Sequence, residues 1–147
     1  MKPWLSLPML LIIATMQQNQ APAPGSSNDP LPSKVFDWTT LVPTPTKTGQ
    51  RRNVFDAPTG TLDRLHGHIT TLNPGENTGP LHRHPQEELV IIREGTIEVN
   101  IDGRKQVVGP GSIVFFAVNE NENMTNVGST PATYTVIQWF TQKTPKG

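Results

Sequence analysis

The chain has 147 residues, with twelve Lys and Arg balanced by twelve Asp and Glu and no cysteine. Scattered charge without a basic stripe argues against nucleic acid or an anionic membrane surface as a partner. The missing cysteines exclude disulfides, thiolate nucleophiles and thiolate metal sites, so His, Asp and Glu are the strong side-chain ligands left for any metal.

The chain opens with Lys2 and an apolar run from Trp4 to Thr15. A basic residue before about a dozen apolar ones is the pattern of an export signal, and the run is short against the roughly 20 residues a membrane span needs. Residues 1–23 are therefore expected to be a signal peptide, with periplasmic or extracellular export and no membrane span in the mature chain. An N-terminal strand or an uncleaved anchor is the alternative. Residues 24–54 are rich in Pro, Gly, Ser, Thr and Asn around a short apolar stretch, Val35-Phe36-Asp37-Trp38, and are expected to form a flexible linker and an extended arm. Residues 55–141 hold the folded domain, and 142–147 are a tail.

Within that domain, short runs end at turn residues. LDRLHGHITTL stops at Asn73-Pro74-Gly75, and EELVIIREG stops at Gly95. TIEVNID alternates, with Ile97, Val99 and Ile101 on one face, and meets Asp102-Gly103, a strong hairpin signal. KQVV stops at Gly109-Pro110-Gly111. SIVFFAV follows, NENENMTN reads as a polar loop, and ATYTVIQWF closes the domain. Strands at spacings of roughly 8–12 residues with turns between them predict an all-β antiparallel sandwich or barrel.

The chemistry concentrates in LHRHPQEEL, residues 81–89. Side chains alternate across a strand, so an uninterrupted strand would put His82, His84 and Glu88 on one face and Glu87 on the other. Two imidazoles and a carboxylate on one side can bind a divalent transition metal and leave positions open. Val90 and Ile92 continue the same face as an apolar interior, which makes the site concave.

HRHPQEELVIIREG, with His82, His84, Glu88 and Gly95, resembles the first motif of the cupin superfamily. GPGSIVFFAVNENENMTNVG, with Gly111 at its turn and Asn126 as its terminal Asn, is similar to the second. The resemblance runs from about Leu62 to Trp139 and implies a double-stranded β-helix, the jelly-roll cupin barrel, with a metal site inside. It also implies a homodimer, with the Val35–Trp38 stretch suited to exchange between copies; the alternative is a monomer whose arm folds back on its own barrel. The second motif ordinarily supplies a third histidine four residues before its Asn, and here that position is Glu122; Ala117 replaces the usual Pro.

Three arrangements stay open. Glu122 could be a fourth ligand beside His82, His84 and Glu88, giving a site for Mn, Fe or Zn. Glu122 could instead stand behind a three-residue site as a general base. Or the site could be degenerate, and the barrel could bind an organic ligand alone. His68 is a candidate proton carrier or substitute ligand, and Arg64 a weaker candidate for a substrate carboxylate. Tyr134 and Gln138 share parity on the last strand and could orient a ligand. Two functions follow: an exported metalloenzyme acting on a small polar metabolite by oxygenase, isomerase or lyase chemistry, or a non-catalytic cupin that binds or senses a small molecule.

Overall fold

A computed structural model describes residues 29–146 of the chain. Nine strands follow a short 3-10 turn at Trp38–Thr40: β1 (Thr44–Thr46), β2 (Gly49–Ala57), β3 (Arg64–Leu72), β4 (Glu87–Glu94), β5 (Ile97–Ile101), β6 (Arg104–Val108), β7 (Ile113–Phe116), β8 (Glu122–Asn126) and β9 (Ala132–Phe140). They form a six-stranded sheet in the order β1-β2-β3-β9-β4-β7 and a three-stranded sheet in the order β6-β5-β8. Every strand pairing is antiparallel. Among the described residues no helix is long and apolar enough to cross a membrane. The export segment expected at 1–23 lies outside them.

Period-two alternation builds the interior. Leu72, Val90, Ile92, Val114, Phe116, Tyr134 and Val136 come from the large sheet, and Ile97, Val99 and Met124 from the small one. Apolar surface removed from water between two such faces is the main force holding them together. Asp102 and Gly103, at φ 47° and 84°, make the left-handed turn that their sequence signalled. Gly95 also has positive φ, at 83°, and a Cβ there would stand 2.5 Å from that of Ala132, so the close approach of this turn to β9 needs glycine.

The structure departs from the sequence expectation in two places. NENENMTN is no loop, because Glu122–Asn126 forms β8 with Glu122, Met124 and Asn126 buried. Polar side chains are tolerated inside because they are satisfied there. The Asn126 amide donates to the carbonyls of Leu72 and Thr130 and accepts from Gly128 N–H. Second, the large sheet takes in β1 and β2, whose residues up to 54 were placed in the arm. β2 pairs along β3 from Gly49↔Leu72 to Ala57↔Leu65 with one irregularity between Asn53 and Phe55. Its polar sequence, GQRRNVFDA, gave no apolar alternation to mark it.

Before these strands the arm lies on its own barrel. Leu31 N–H donates to Pro58 O at 2.8 Å, Phe36 meets Phe55 with ring centres 5.5 Å apart, and Trp38 sits between the guanidinium groups of Arg52 and Arg93. Cation–π attraction of this kind holds an otherwise thin segment in place.

Candidate metal centre and its cavity

The His-x-His pair is positioned by β8. The strand that carries Glu88 begins only at Glu87; Pro85 and Gln86 form a bend before it. Pro lacks the N–H that would continue a ladder, so His82 and His84 lie in the approach to β4. His82 forms an isolated antiparallel bridge with Glu122, through His82 N–H to Glu122 O at 3.1 Å and Glu122 N–H to His82 O at 2.8 Å. Asn119 N–H donates to His84 O at 2.8 Å. These bonds bring both imidazoles over one carboxylate.

Nε2 of His82 is 2.9 Å from Glu122 Oε1, and Nε2 of His84 is 3.5 Å from the same oxygen. One ligand atom from each of the three residues lies within 4.8 Å of the others. The rings stand nearly perpendicular, with centres 4.8 Å apart. Glu122 is buried to 3% exposure, whereas both imidazoles are partly open to the cavity mouth.

The hydrogen bonds around His82 test whether this set suits a cation. Its Nδ1 is 3.0 Å from Pro80 O, an acceptor, so Nδ1 carries the hydrogen. In neutral His82 the Nε2 lone pair then faces Glu122 Oε1. Two acceptors 2.9 Å apart need a proton or a metal ion between them. His84 meets the same oxygen at 3.5 Å, and its hydrogen bond with Glu122, against the cost of burial, raises the pKa of His84. A divalent ion would satisfy both imidazoles and the carboxylate together, and a carbonyl behind the ligating ring is the usual orienting partner. The residues fit a metal.

Glu88 lies beside this group but does not join it. As expected from parity, it points inward and is buried, while Glu87 points the other way and accepts from Trp139 Nε1 at 2.7 Å. Glu88 and Gln138 are register partners on β4 and β9, and Glu88 Oε2 accepts from Gln138 Nε2 at 2.5 Å. Burial raises the Glu88 pKa; Gln138 opposes that shift and nearby Glu122 adds to it. The expected set of His82, His84, Glu88 and Glu122 is thus assembled in three of its members. The fourth is drawn toward β9 by the amide.

This candidate metal group opens on a cavity of about 430 Å³ between the sheets. Leu72, Met124 and Val136 give it apolar walls, and Tyr134 and Gln138 both line it. The opposite flank carries Arg51, His66 and His68. Arg51 Nη2 is 3.0 Å from His66 Nε2, and because Arg only donates, that nitrogen is unprotonated. The His66 hydrogen therefore sits on Nδ1, 3.5 Å from Asp56 Oδ2, and His68 Nδ1 donates to His66 Nε2 at 3.2 Å. Burial, with Arg51 and His66 nearby, takes His68 down to about 3. His68 faces the cavity as a neutral ring, outside the group of converging metal donors.

One side chain is placed differently from its sequence expectation. Arg64 is held in a two-pronged ion pair with Asp56 and lies over the Phe140 ring; it does not line the cavity. On β7, Phe115 is 48% exposed and stacks on Trp139, while its neighbour Phe116 is buried. Arg51 is the charged cavity residue that sequence analysis missed. Its one signal was two residues of like charge, Arg51-Arg52, in a segment without apolar alternation.

The cupin domain family model matches residues 68–138, from within β3 to within β9. Solved structures of similar fold include an RmlC-like cupin from Shewanella frigidimarina, with TM-score 0.61 and 18% identity over 76% of this chain and 95% of that one. A predicted oxalate decarboxylase from Thermotoga maritima gives 0.60 and 16% identity over 73% and 99%. The polyketide cyclase RemF from Streptomyces resistomycificus gives 0.61 and 22% identity over 73% and 79%. No curated protein matches the sequence. With both motifs seated in one antiparallel barrel and the family match covering His82, His84 and Glu122, the chain carries a cupin domain over residues 68–138.

Proposed function

We propose that this cupin is an exported metal-dependent enzyme acting on a small polar metabolite. Mn, Fe or Zn would be held by His82, His84 and Glu122, with chemistry of oxygenase, isomerase or lyase type. The observation that carries the reading is the convergence of three donor atoms within 4.8 Å around a buried carboxylate, at the edge of a cavity of metabolite size. Similar folds named as a predicted decarboxylase and a polyketide cyclase support small-molecule chemistry here, though fold alone does not choose the reaction. Export is proposed from the basic and apolar pattern of residues 1–15.

When bound, such an ion supplies Lewis acidity toward a substrate oxygen. The chain's own residues do the rest. Pro80 O fixes the His82 ring so that Nε2 faces inward. Glu88, with its raised pKa, can hold or release a proton at Oε1 while Gln138 steadies Oε2. Leu72, Met124 and Val136 exclude water from the cavity floor.

The test is metal analysis of protein purified without an affinity tag, before and after reconstitution. Stoichiometric Mn, Fe or Zn, lost in Glu122→Ala, supports the three-donor site. No bound metal after reconstitution overturns the enzyme reading in favour of a cupin that only binds or senses its ligand. Glu122 in place of the usual histidine is the observation favouring that second reading.

A further inference from the structure

Taking the cavity as the substrate site, as proposed above, we infer that Arg51 anchors a carboxylate group of the metabolite on the wall opposite the metal donors. Among the described residues Arg51 is the only Lys or Arg lining the cavity. Its Nε donates to Asn53 Oδ1 at 3.0 Å and its Nη2 meets His66 Nε2 at 3.0 Å, and both acceptors are neutral. Among the described residues Nη1 has no hydrogen-bond partner, and no carboxylate pairs with the guanidinium. Asp56, the nearest acidic side chain on the same strand, is occupied by Arg64.

A half-buried guanidinium oriented by two neutral acceptors keeps a free edge for a planar two-oxygen partner. Thr70 is the register partner of Arg51 and lines the same cavity, as do Thr46 and Thr48, so hydroxyl groups share this lining with the guanidinium. The charge count favours a monoanion. His66 and His68 both have lowered pKa values, through burial, leaving one permanent positive charge on this wall. A carboxylate matches it, whereas a phosphate dianion would remain under-compensated.

Lactate and lactamide make a suitable probe pair, because they differ in the charged group and little in shape. Their binding is followed by nuclear magnetic resonance titration of the full chain, both chelator-treated and reconstituted with Mn. Lactate should bind at least roughly tenfold more tightly than lactamide in both forms, as expected for a charge-assisted pair of hydrogen bonds. Arg51→Gln should remove that preference and Arg51→Lys should restore part of it. Arg104→Gln, an exposed change on the small sheet, should leave it intact.

Equal binding of lactate and lactamide, no binding of either, or an unchanged preference in Arg51→Gln would overturn the assignment. Inorganic phosphate binding more tightly than lactate would overturn its carboxylate identity. Should Arg51→Gln fail to fold, Arg51→Lys decides, since full retention of the preference there rules out recognition by the guanidinium fork. Because the preference is read in metal-free protein as well, its loss is separable from a failure to bind metal.

Discussion

His82 and Glu122 are joined twice, by reciprocal backbone hydrogen bonds of 3.1 and 2.8 Å and by a side-chain contact of 2.9 Å between Nε2 and Oε1. The backbone bridge fixes the separation of the side chains, so the carboxylate charge can be removed without moving the loop. Glu122→Gln should therefore fold normally and bind metal far more weakly. Groups standing behind ligands already contribute 10–100-fold to affinity, so loss of a charged ligand should cost at least about 100-fold. Calorimetric titration with Mn or Zn measures it, and affinity within tenfold of the parent would remove Glu122 from the ligand set.

The metal-free protein should be most stable at about pH 6–7. His84 has a raised pKa in the fold, chiefly through its Glu122 hydrogen bond, so its contribution is complete below the ordinary value of 6.5 and is lost as pH rises through the folded value. Glu88 is also raised, by burial, and works in the same direction above 4.5. His68 has the opposite sign. Its folded pKa falls from 6.5 to about 3, so stability is lost as pH drops through that interval. Urea midpoints of chelator-treated protein should fall on either side of the optimum, and His68→Gln should flatten the acid limb. Reconstituted protein should gain metal affinity as pH rises through the His84 transition, because the ligand must lose its proton first. A midpoint that climbs steadily from about pH 6.5 to 8 without metal would contradict this account.

The fold was legible because its strands announce themselves by alternation and by turns such as Asp102-Gly103. Glu88 was placed correctly on the inner face for the same reason: parity is a local property of β4. The site was legible as a set of residues but less so as an arrangement. His82 and His84 share a site with Glu122 through a bridge to a strand some 40 residues away, and no local periodicity encodes that pairing. β8 was hidden because its inward residues are Glu122, Met124 and Asn126, of which only one is apolar. Arg51 was hidden for a related reason: β2 takes its place by pairing with β3, not by an apolar face of its own.

Asn126 shows what such a hidden inward residue contributes. It is fully buried, and its side chain ties together Leu72, Thr130 and Gly128, the end of β3 and the turn before β9. Asn126→Ala strands two carbonyls and one N–H away from water. At about 1–3 kcal/mol for each group left unpaired, with partial relaxation by entering water, a loss of roughly 2–4 kcal/mol is expected. Chemical denaturation measures it. Asn126→Asp should also destabilise, since an ionised carboxylate cannot donate to the two carbonyls that the amide serves.

Glu88 is the residue on which the number of metal ligands turns, and its geometry gives an expectation opposite to that for Glu122. Its Oε2 is committed to Gln138, and it stands outside the three converging donors. In Glu88→Gln the side-chain oxygen can still accept from Gln138, while the cost of ionising a buried acid disappears. The variant should keep its metal, with affinity changed by no more than about 10–100-fold as for a group behind the ligands. Without metal it should be at least as stable as the parent at about pH 8, with the advantage shrinking toward pH 4.5 as Glu88 in the parent takes up its proton. Metal analysis of Glu88→Gln and Glu122→Gln in parallel separates the two roles. If both variants lose the metal equally, Glu88 swings away from Gln138 to bind it, and the centre has four protein ligands.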